Sequence, residues 1–435
     1  AQLDYPVTGW IENDMSVSGD VDHPVVKGNF LAWDGSIKGE LFQSISAGYD
    51  YDFSGLKLSN GLAYIYDGTA MVNGVVRPDG LDLQTSFNDI SIERMLPQSG
   101  ITGKVSLLGR VKGTMDNPQF DGTAASREIH VGGSVVRVVS TGVHYRDHVV
   151  TLDEGSFRQQ GGSFTWKGNY NVENSSIDGT LKFDNWNAKE ILRMLKMTSD
   201  AVDIPVEGGM RISGTLDNPS VDFKANILGG HLGATSVGDG VIDFSYMNKA
   251  LSIRKMNIPV GNGVLAAQGG MNSQGDLDIQ FAARDMDVSW IPSVLNKKDV
   301  KIGGTLTAGV YLSGNKTKPV ADISIGVDHP SYGDISFDDF SLMANMSDNV
   351  FTLQNALITR DAYKASMKGT IPGAMFGLPV VSDVPIDLDI NLDHADMNIL
   401  ALFSKAVTSA NGPIKGHLKV TGAYNDPMIF GGVTI

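Results

Sequence analysis

The chain has no cysteine among its 435 residues. This absence excludes a disulfide framework and thiolate metal sites. Charged residues are also scarce, at 19 % of the chain, which is few for a protein whose entire surface faces water. Glycine, by contrast, reaches 51 residues, while proline stays at 16. This composition is typical of many strands joined by tight turns.

Long hydrophobic runs are missing too. No segment approaches the roughly 18 consecutive apolar residues that a membrane-spanning helix needs. The formal net charge of −15 argues against nucleic acids and anionic membrane surfaces as main partners. The chain opens on Ala1-Gln2-Leu3 with no signal peptide, and we expect it to be an internal piece of a longer protein whose anchors lie outside it.

A seven-residue turn motif recurs five times and indicates a repeat protein. Its glycines stand at positions 19, 113, 214, 314 and 422, in steps of 94, 101, 100 and 108 residues. Glycine lets a strand end without a side-chain clash, Asp and Asn favour the turn, and proline opens the next strand. The five copies are Ser18–Pro24, Lys112–Pro118, Ser213–Pro219, Ser313–Pro319 and Thr421–Pro427.

The motif copies set the boundaries of a continuous array of repeats. No composition shift or linker separates them, so we expect one structure and not a row of separate domains. The predicted segments are the end of a preceding repeat at 1–23, repeat 1 at 24–117, repeat 2 at 118–218, repeat 3 at 219–318, repeat 4 at 319–426 and the start of the next repeat at 427–435.

Apolar and polar residues alternate along nearly the whole chain, which predicts strands with one apolar face. At about one strand per 10 residues, the chain would hold roughly 40 strands. The apolar members of these strands are the candidate groove-lining residues. They are Leu62, Tyr64, Tyr66, Phe164, Trp166, Leu181, Phe183, Val221, Phe223, Ile242, Phe244, Tyr246, Leu251, Ile253, Leu277, Ile279, Phe281, Ile386, Leu388, Ile390 and Leu392.

Each repeat also contains one short segment with helical periodicity. Ser91, Asn187, Ser289 and Asn398 occupy equivalent places and are predicted N-caps. Glu190 follows Asn187 by three residues, the spacing of a capping box. We expect these helices to pack on an end or rim of the sheet. The segments are Asp89–Leu96, Asn185–Leu195, Asp287–Leu295 and Asp396–Phe403.

A sheet with one apolar face must cover that face. Closed sandwiches or a filled barrel are one solution, and a long half-pipe with an apolar interior is the other. The unbroken pattern favours the half-pipe. The predicted fold is therefore all-β: a long, continuous, twisted antiparallel half-pipe with a hydrophobic groove and about one short amphipathic helix per ~100-residue repeat.

Two clusters of polar residues are candidate metal sites. His144 and His148 would share one face of a strand at i, i+4, and two solvated histidines beside a turn are the alternative. Four oxygen-bearing residues alternate along another strand, yet they lack the turn-forming glycine of a calcium loop. We interpret them as the polar face opposite the apolar residues of that strand. These four residues are Asp387, Asp389, Asn391 and Asp393.

No enzymatic motif is present in the sequence. Gly261–Ala266 imitates a dinucleotide fingerprint but does not open a helix, so we reject it. No nucleophile elbow or Ser/His/Asp arrangement is visible. We therefore predict that the protein is not an enzyme and has no catalytic residue, cofactor or metal.

The order of elements in each repeat resembles the TamB and AsmA-like proteins of diderm bacterial envelopes. The resemblance rests on the motif copies at Lys112–Pro118, Ser213–Pro219 and Thr421–Pro427 and on the helix starts near Asn187, Ser289 and Asn398. It implies a β-taco in the periplasm that bridges inner and outer membranes and transports phospholipids. It also implies an older role in outer-membrane protein assembly, beside an Omp85-type partner. The family's amino-terminal anchor and carboxy-terminal docking domain are not recognisable here.

The sequence leaves three functions to compare. The first is bridge-like transport of phospholipids or other acyl-chain lipids through the groove, with acyl chains as the ligand. The second is a scaffold or translocation module for outer-membrane β-barrels or autotransporters, because free strand edges can pair with a client. A carbohydrate-active or adhesive solenoid is the third, and it would need a carboxylate pair in a cleft or exposed aromatic rows, which the sequence does not offer.

Overall fold

The computed structural model describes residues 6–37, 39–95, 97, 100–159, 161–194, 200–294, 299–376, 378, 384–396 and 412–434. In this part of the chain 28 strands and three short α-helices are present, so the predicted all-β class is confirmed. The chain forms two units: unit 1 holds Ala1–Thr198 and Gly209–Pro219, and unit 2 holds Ser199–Gly208 and Ser220–Ile435.

Unit 1 contains the first twelve strands and two helices. They are β1 (Val7–Gly19), β2 (Pro24–Ile37), β3 (Glu40–Asp52), β4 (Gly55–Ile65), β5 (Gly68–Arg77), β6 (Gly80–Ser91), α1 (Ile92–Met95), β7 (Ile101–Gly113), β8 (Pro118–Val131), β9 (Ser134–Arg146), β10 (Val149–Gln159), β11 (Gly162–Asn171), β12 (Ser176–Asn187) and α2 (Ala188–Met194).

The remaining elements follow in chain order. After β13 (Val202–Asp203) comes β14 (Pro205–Thr215), which contains residues of both units. Unit 2 then continues with β15 (Pro219–Leu232), β16 (Thr235–Met247), β17 (Ala250–Val260), β18 (Gly263–Met271), β19 (Leu277–Asp287), α3 (Ile291–Val294), β20 (Ile302–Asn315), β21 (Lys318–Tyr332), β22 (Ile335–Ser336), β23 (Asp339–Ser347), β24 (Val350–Arg360), β25 (Tyr363–Pro372), a 3₁₀ helix (Gly373–Phe376), β26 (Ile386–Asp396), β27 (Pro413–Ala423) and β28 (Asp426–Thr434).

In each unit the strands pair antiparallel with their neighbours in the chain. Unit 1 pairs in order from β1 to β12. Unit 2 pairs in order from β15 to β28, except that β21 pairs with both the short β22 and β23. Among the described residues β1 pairs only with β2 and β28 only with β27, so the sheet is open, as predicted. The expectation of roughly 40 strands is wrong, because most strands run for 9–15 residues before a turn.

The recurring turn motif forms hairpins of different length. Gly19 pairs with Pro24 at the end of β1 and four residues connect the strands, whereas β20 continues one residue beyond Gly314 and two residues connect it to β21. The five motif glycines nevertheless share φ of 92°, 93°, 97°, 75° and 110°, a left-handed region that side chains avoid. The glycine is therefore required by backbone conformation, at the end of a strand or next to it.

A residue with left-handed backbone precedes the predicted helical segment of every repeat. These four residues have φ of 53°, 48°, 49° and 50°, which Asp, Asn and His tolerate better than most residues. Three of the places also show a shift of strand register, as at a β-bulge, which re-aims side chains. The next residue is buried at three of the places, since Ile90 is 3 % exposed, Trp186 2 % and Met286 5 %. The four left-handed residues are Asp89, Asn185, Asp285 and His394.

The helices begin close to the predicted caps. Asn187 precedes α2, and its Oδ1 accepts a hydrogen bond from the Lys189 amide at 2.9 Å, which confirms that cap. Glu190 is buried, and its carboxylate accepts hydrogen bonds from Ser134 Oγ (2.9 Å) and Arg193 (2.7 Å). It thereby fastens α2 to β9, a role that the capping-box spacing does not predict.

Helix α2 packs on the strand ends of its own repeat. The Gly133 amide, in the turn between β8 and β9, donates a hydrogen bond to the Arg193 carbonyl at 2.8 Å. Ser91 stands directly before α1, whereas Ser289 lies two residues before α3. The fourth predicted helix lies outside the described residues from position 397 to 403.

Candidate functional site

The apolar face of unit 2 consists of rows of residues that pair from strand to strand. The longest row crosses 13 strands and contains only apolar residues and glycine. In strand order it reads Ala225, Ile242, Met256, Ala267, Phe281, Val310, Ile323, Ala344, Leu353, Gly369, Leu388, Val420 and Ile429.

A second row runs on each side of the longest one. On one side are Phe223, Phe244, Ile253, Gly269, Ile279, Leu312, Ala321, Met346, Phe351 and Ile371. On the other are Ile258, Leu265, Ala283, Ala308, Ile325, Leu342, Ala356, Met367, Ile390, Leu418 and Gly431. No residue of the three rows carries a polar side-chain atom. At ~4.8 Å per strand, the longest row extends for roughly 60 Å.

The rows are covered only in part. Ala267 and Ala283 are buried, whereas the larger Phe244 and Phe281 beside them are half-buried. The larger Leu353 of the longest row is buried as well, at 8 % exposure, so exposure does not follow side-chain size. The face is therefore continuously apolar but unevenly exposed.

The opposite face of unit 2 is mostly polar. On β19 it holds Asp278, Gln280 and Arg284, all exposed, with Ala282 among them. Arg254 bonds to Asp243 and, at 2.7 Å, to Asp222. The hydrogen bond to Asp243, followed by that to Asp222, raises the pKa of Arg254. The two faces of one strand therefore differ in chemistry.

Unit 1 has an apolar row across all twelve of its strands, which we call the tyrosine row. It reads Met15, Gly28, Tyr49, Leu58, Gly74, Leu83, Val111, Phe120, Tyr145, Val150, Tyr170 and Ile177. Unlike the three rows of unit 2, this row contains phenol hydroxyls. That of Tyr49 donates a hydrogen bond to Asn13 Oδ1 at 3.0 Å.

An aromatic cluster occupies the end of the same face near α2. Phe157 stacks on Phe164 with ring centres 5.2 Å apart and meets the edge of Trp186 at the same distance. Trp166 lies 6.0 Å from Phe157. Phe183 pairs with Phe164 in register. Such contacts stabilise a cluster beyond simple burial of area.

Eighteen of the predicted lining residues lie on these apolar faces, as the register shows; whether they contact lipid stays a prediction. They are Phe164, Trp166, Leu181 and Phe183 in unit 1, and Val221, Phe223, Ile242, Phe244, Tyr246, Leu251, Ile253, Leu277, Ile279, Phe281, Ile386, Leu388, Ile390 and Leu392 in unit 2.

Leu62 and Tyr64 lie on the other face, so their prediction as part of the apolar face is wrong. A bulge at Asn60, with φ of 51°, shifts the register of β4 between Leu58 and Gly61. One extra residue moves every later side chain to the opposite face. Ala63 therefore takes the inward place that the alternation had given to its neighbours.

Tyr66 does not lie on the apolar face either, although the alternation predicts that it does. It lies in the turn after β4, with φ of 48°. Its hydroxyl donates a hydrogen bond to the Glu40 carboxylate, which raises the pKa of Tyr66. The Tyr66-Asp67 pair at the end of β4 could have indicated this turn, because hairpin turns often need residues with left-handed backbone conformation.

His144 and His148 do not form a pair. His144 lies between two carboxylates, with Nδ1 2.6 Å from Asp121 and Nε2 3.0 Å from Asp153. The hydrogen bond to Asp121, followed by that to Asp153, raises the pKa of His144 above its ordinary value. His148 sits with Asp147 in the two-residue turn between β9 and β10.

The acidic residues of β26 face lysines of β27 and are exposed or half-exposed. Lys419 bonds to Asp387 and lies 3.3 Å from Asp389. Lys415 lies 3.8 Å from Asp393. These pairs favour the interpretation as a polar face over calcium binding. Within the described ranges, no group of three or more His, Asp or Glu side chains could hold a metal ion.

None of the helices in the described part of the chain has the length and apolar character needed to cross a bilayer. Comparison with protein-family models, curated proteins and solved structures yields no match.

Proposed function

We propose that the apolar faces of both units bind the acyl chains of lipids and let them move along the rows. The single observation that carries this proposal is the row of 13 apolar residues and glycine across unit 2, flanked by two rows of the same character. Each methylene group removed from water contributes about 0.8 kcal/mol. A uniform apolar row holds a chain at every position about equally, which favours movement along it.

The backbone supports acyl chains over polypeptides as the ligand of these faces. Inner strands such as β19 hydrogen-bond to a neighbour on each side, here β18 and β20. A polypeptide lying on the face would find no backbone partner, and its own amide groups would be buried unpaired. An acyl chain has no such groups to satisfy.

We extend the proposal to transport of phospholipids between the inner and outer membranes, in the periplasm of a diderm bacterium. The support is the resemblance of the repeat to TamB and AsmA-like proteins. Under this proposal an inner-membrane anchor and an Omp85-type outer-membrane partner are reached through segments outside this chain. No catalytic residue, cofactor or metal is assigned.

The free sheet edges favour a second candidate function, a scaffold or translocation module for outer-membrane β-proteins. Among the described strands β1 and β28 each lack one neighbour, and Trp10 and Ile11 of β1 are each 70 % exposed. An unpaired edge binds an extended polypeptide through backbone hydrogen bonds. The two functions thus use different surfaces, namely faces for lipid and edges for polypeptide.

Lipid content of the purified protein tests the first proposal. Phe281→Asp places a charge in the longest row of unit 2, and Gln280→Asp places the same charge on the opposite face of the same strand. We expect mass spectrometry to find co-purified acyl lipids with the wild type and with Gln280→Asp, and clearly less with Phe281→Asp. Circular dichroism establishes that both variants remain folded. Equal lipid content in the two folded variants, or none in the wild type, contradicts the proposal.

A further inference from the structure

Two tyrosines of unit 1 lie on either side of one aliphatic residue. Tyr145 of β9 and Tyr170 of β11 both pair with Val150 of β10. Their Cα atoms are therefore two strand spacings apart, roughly 10 Å. Phe120 and Ile177 continue the row on the outer sides, so the residues paired with the two tyrosines are apolar on both sides.

The tyrosine side chains are half-buried and lie next to strand ends. Tyr145 is one residue from the end of β9, and Tyr170 is one residue from the end of β11. A tyrosine side chain is longer than a valine side chain, and both tyrosines are partly exposed on this face. Neither hydroxyl has a hydrogen-bond partner among the described residues, whereas that of Tyr49 in the same row bonds to Asn13.

The equivalent three positions in unit 2 have one hydroxyl group fewer. The equivalent row runs from Tyr246 through Leu251 to Met271. Tyr246 corresponds to Tyr145, and Met271 corresponds to Tyr170. The repeat thus provides a natural comparison, in which the strands and register agree and one tyrosine is replaced by methionine.

We propose that Tyr145 and Tyr170 together bind the ester carbonyls of diacyl lipids, so that unit 1 prefers ester-linked lipids over hydrocarbon chains without carbonyl groups. This inference rests on the proposed function, because it names the lipid chemistry recognised by that same face. A phenol hydroxyl donates a hydrogen bond, and an ester carbonyl is the acceptor that a phospholipid carries next to its acyl chains. Val150 between the two tyrosines contacts the hydrocarbon.

Photo-crosslinking with a matched pair of lipids tests the inference. The probes are a diacyl phosphatidylethanolamine and its dialkyl ether analogue, each with a diazirine in one chain, presented in the same vesicles. Peptide mass spectrometry reports the labelling of β9–β12 and of β16–β19. In the wild type, we expect the ester-to-ether labelling ratio to be about threefold to tenfold higher at β9–β12, the effect of one or two net hydrogen bonds.

Three variants decide the assignment. Tyr170→Phe removes only the hydroxyl and should lower the ratio at β9–β12 to that at β16–β19. Met271→Tyr recreates the pair in unit 2 and should raise the ratio there. Tyr311→Phe removes a hydroxyl from the polar face and should change neither.

The outcomes separate the inference from the function on which it rests. Equal ratios at the two sites in the wild type, or an unchanged ratio in Tyr170→Phe, overturn the ester preference and leave lipid binding intact. If neither probe labels either site, the proposed function fails and the ester preference fails with it. The comparison of the two labelling ratios in the wild type tests the ester preference even if a variant does not fold.

Discussion

The two units build the same kind of face from different side chains. Four of the twelve residues in the tyrosine row of unit 1 are aromatic, whereas Phe281 is the one aromatic residue among the 13 in the longest row of unit 2. The hairpin order and pairing agree in both. Register is therefore a property of the repeat, while the chemistry of the face is free to differ.

Glycine serves two purposes on the apolar faces, and unit 1 shows both. Gly155 lies under the ring of Trp166, so the absence of a side chain makes room for the ring. Gly74 of unit 1 and Gly269 and Gly369 of unit 2 have φ of 146°, 106° and 132° and approach backbone atoms of the neighbouring strand. Gly155 is therefore required by packing and the other three by conformation.

The largest expected effect comes from the core of unit 2. Ile414 is completely buried and packs against Ile390 and Leu392. We expect Ile414→Ala to lower the free energy of unfolding by about 2–5 kcal/mol, because it leaves a cavity. The control Lys415→Ala changes an exposed neighbour and should stay within about 0.5 kcal/mol. Denaturant titration measures both, and similar values for the two would show that this side of β27 is not a core.

The difference between the glycines gives the next prediction. A methyl group on Gly155 would overlap the Trp166 ring, so Gly155→Ala should cost about 1–3 kcal/mol and change tryptophan fluorescence. Gly326 of unit 2 is the control, since a methyl group there meets nothing closer than 3.8 Å. Gly326→Ala should be neutral or stabilise by up to about 1 kcal/mol. If the two substitutions have the same effect, the distinction between the glycines is wrong.

The smallest effect concerns pH and the polar faces. The pKa of His144 is raised from 6.5 by its hydrogen bonds to Asp121 and then Asp153. Its ion pairs therefore stabilise unit 1 fully below about pH 6.5, and the contribution is lost as pH rises through the raised pKa. In unit 2 the pKa of Lys419 is raised from 10.5, first by its bond to Asp387. The stabilisation from that pair therefore does not change with pH near neutrality.

Unfolding titrations between pH 5 and pH 9 measure this difference. The destabilisation caused by His144→Gln should shrink as pH rises, whereas that of Lys419→Gln should stay constant over the same range. A His144→Gln effect independent of pH would mean that the two carboxylates do not hold the imidazolium.

The sequence predicts most of this fold because the turn residues and the alternation act locally. Gly113 and Pro118 mark a hairpin that forms as expected, and the alternation of β19 places Ile279 and Phe281 on one face. Local chemistry of this kind needs no knowledge of distant parts of the chain.

Bulges are where the sequence analysis fails. The extra residue at Asn60 moves Leu62 and Tyr64 to the opposite face, since simple alternation counts every residue as one step. An Asn before glycine in the middle of a strand was the signal. The bond from Ser134 to Glu190 was not predictable, because 56 residues separate the two side chains in the chain.

Lipid contact at a single strand tests the central claim most directly. A photo-reactive p-benzoylphenylalanine would replace Phe281 on the apolar face in one variant and Gln280 on the polar face in another. After irradiation with phospholipid vesicles, we expect lipid adducts at position 281 and none at position 280. Equal labelling at both positions, or polypeptide adducts alone at position 281, would contradict lipid binding by this face.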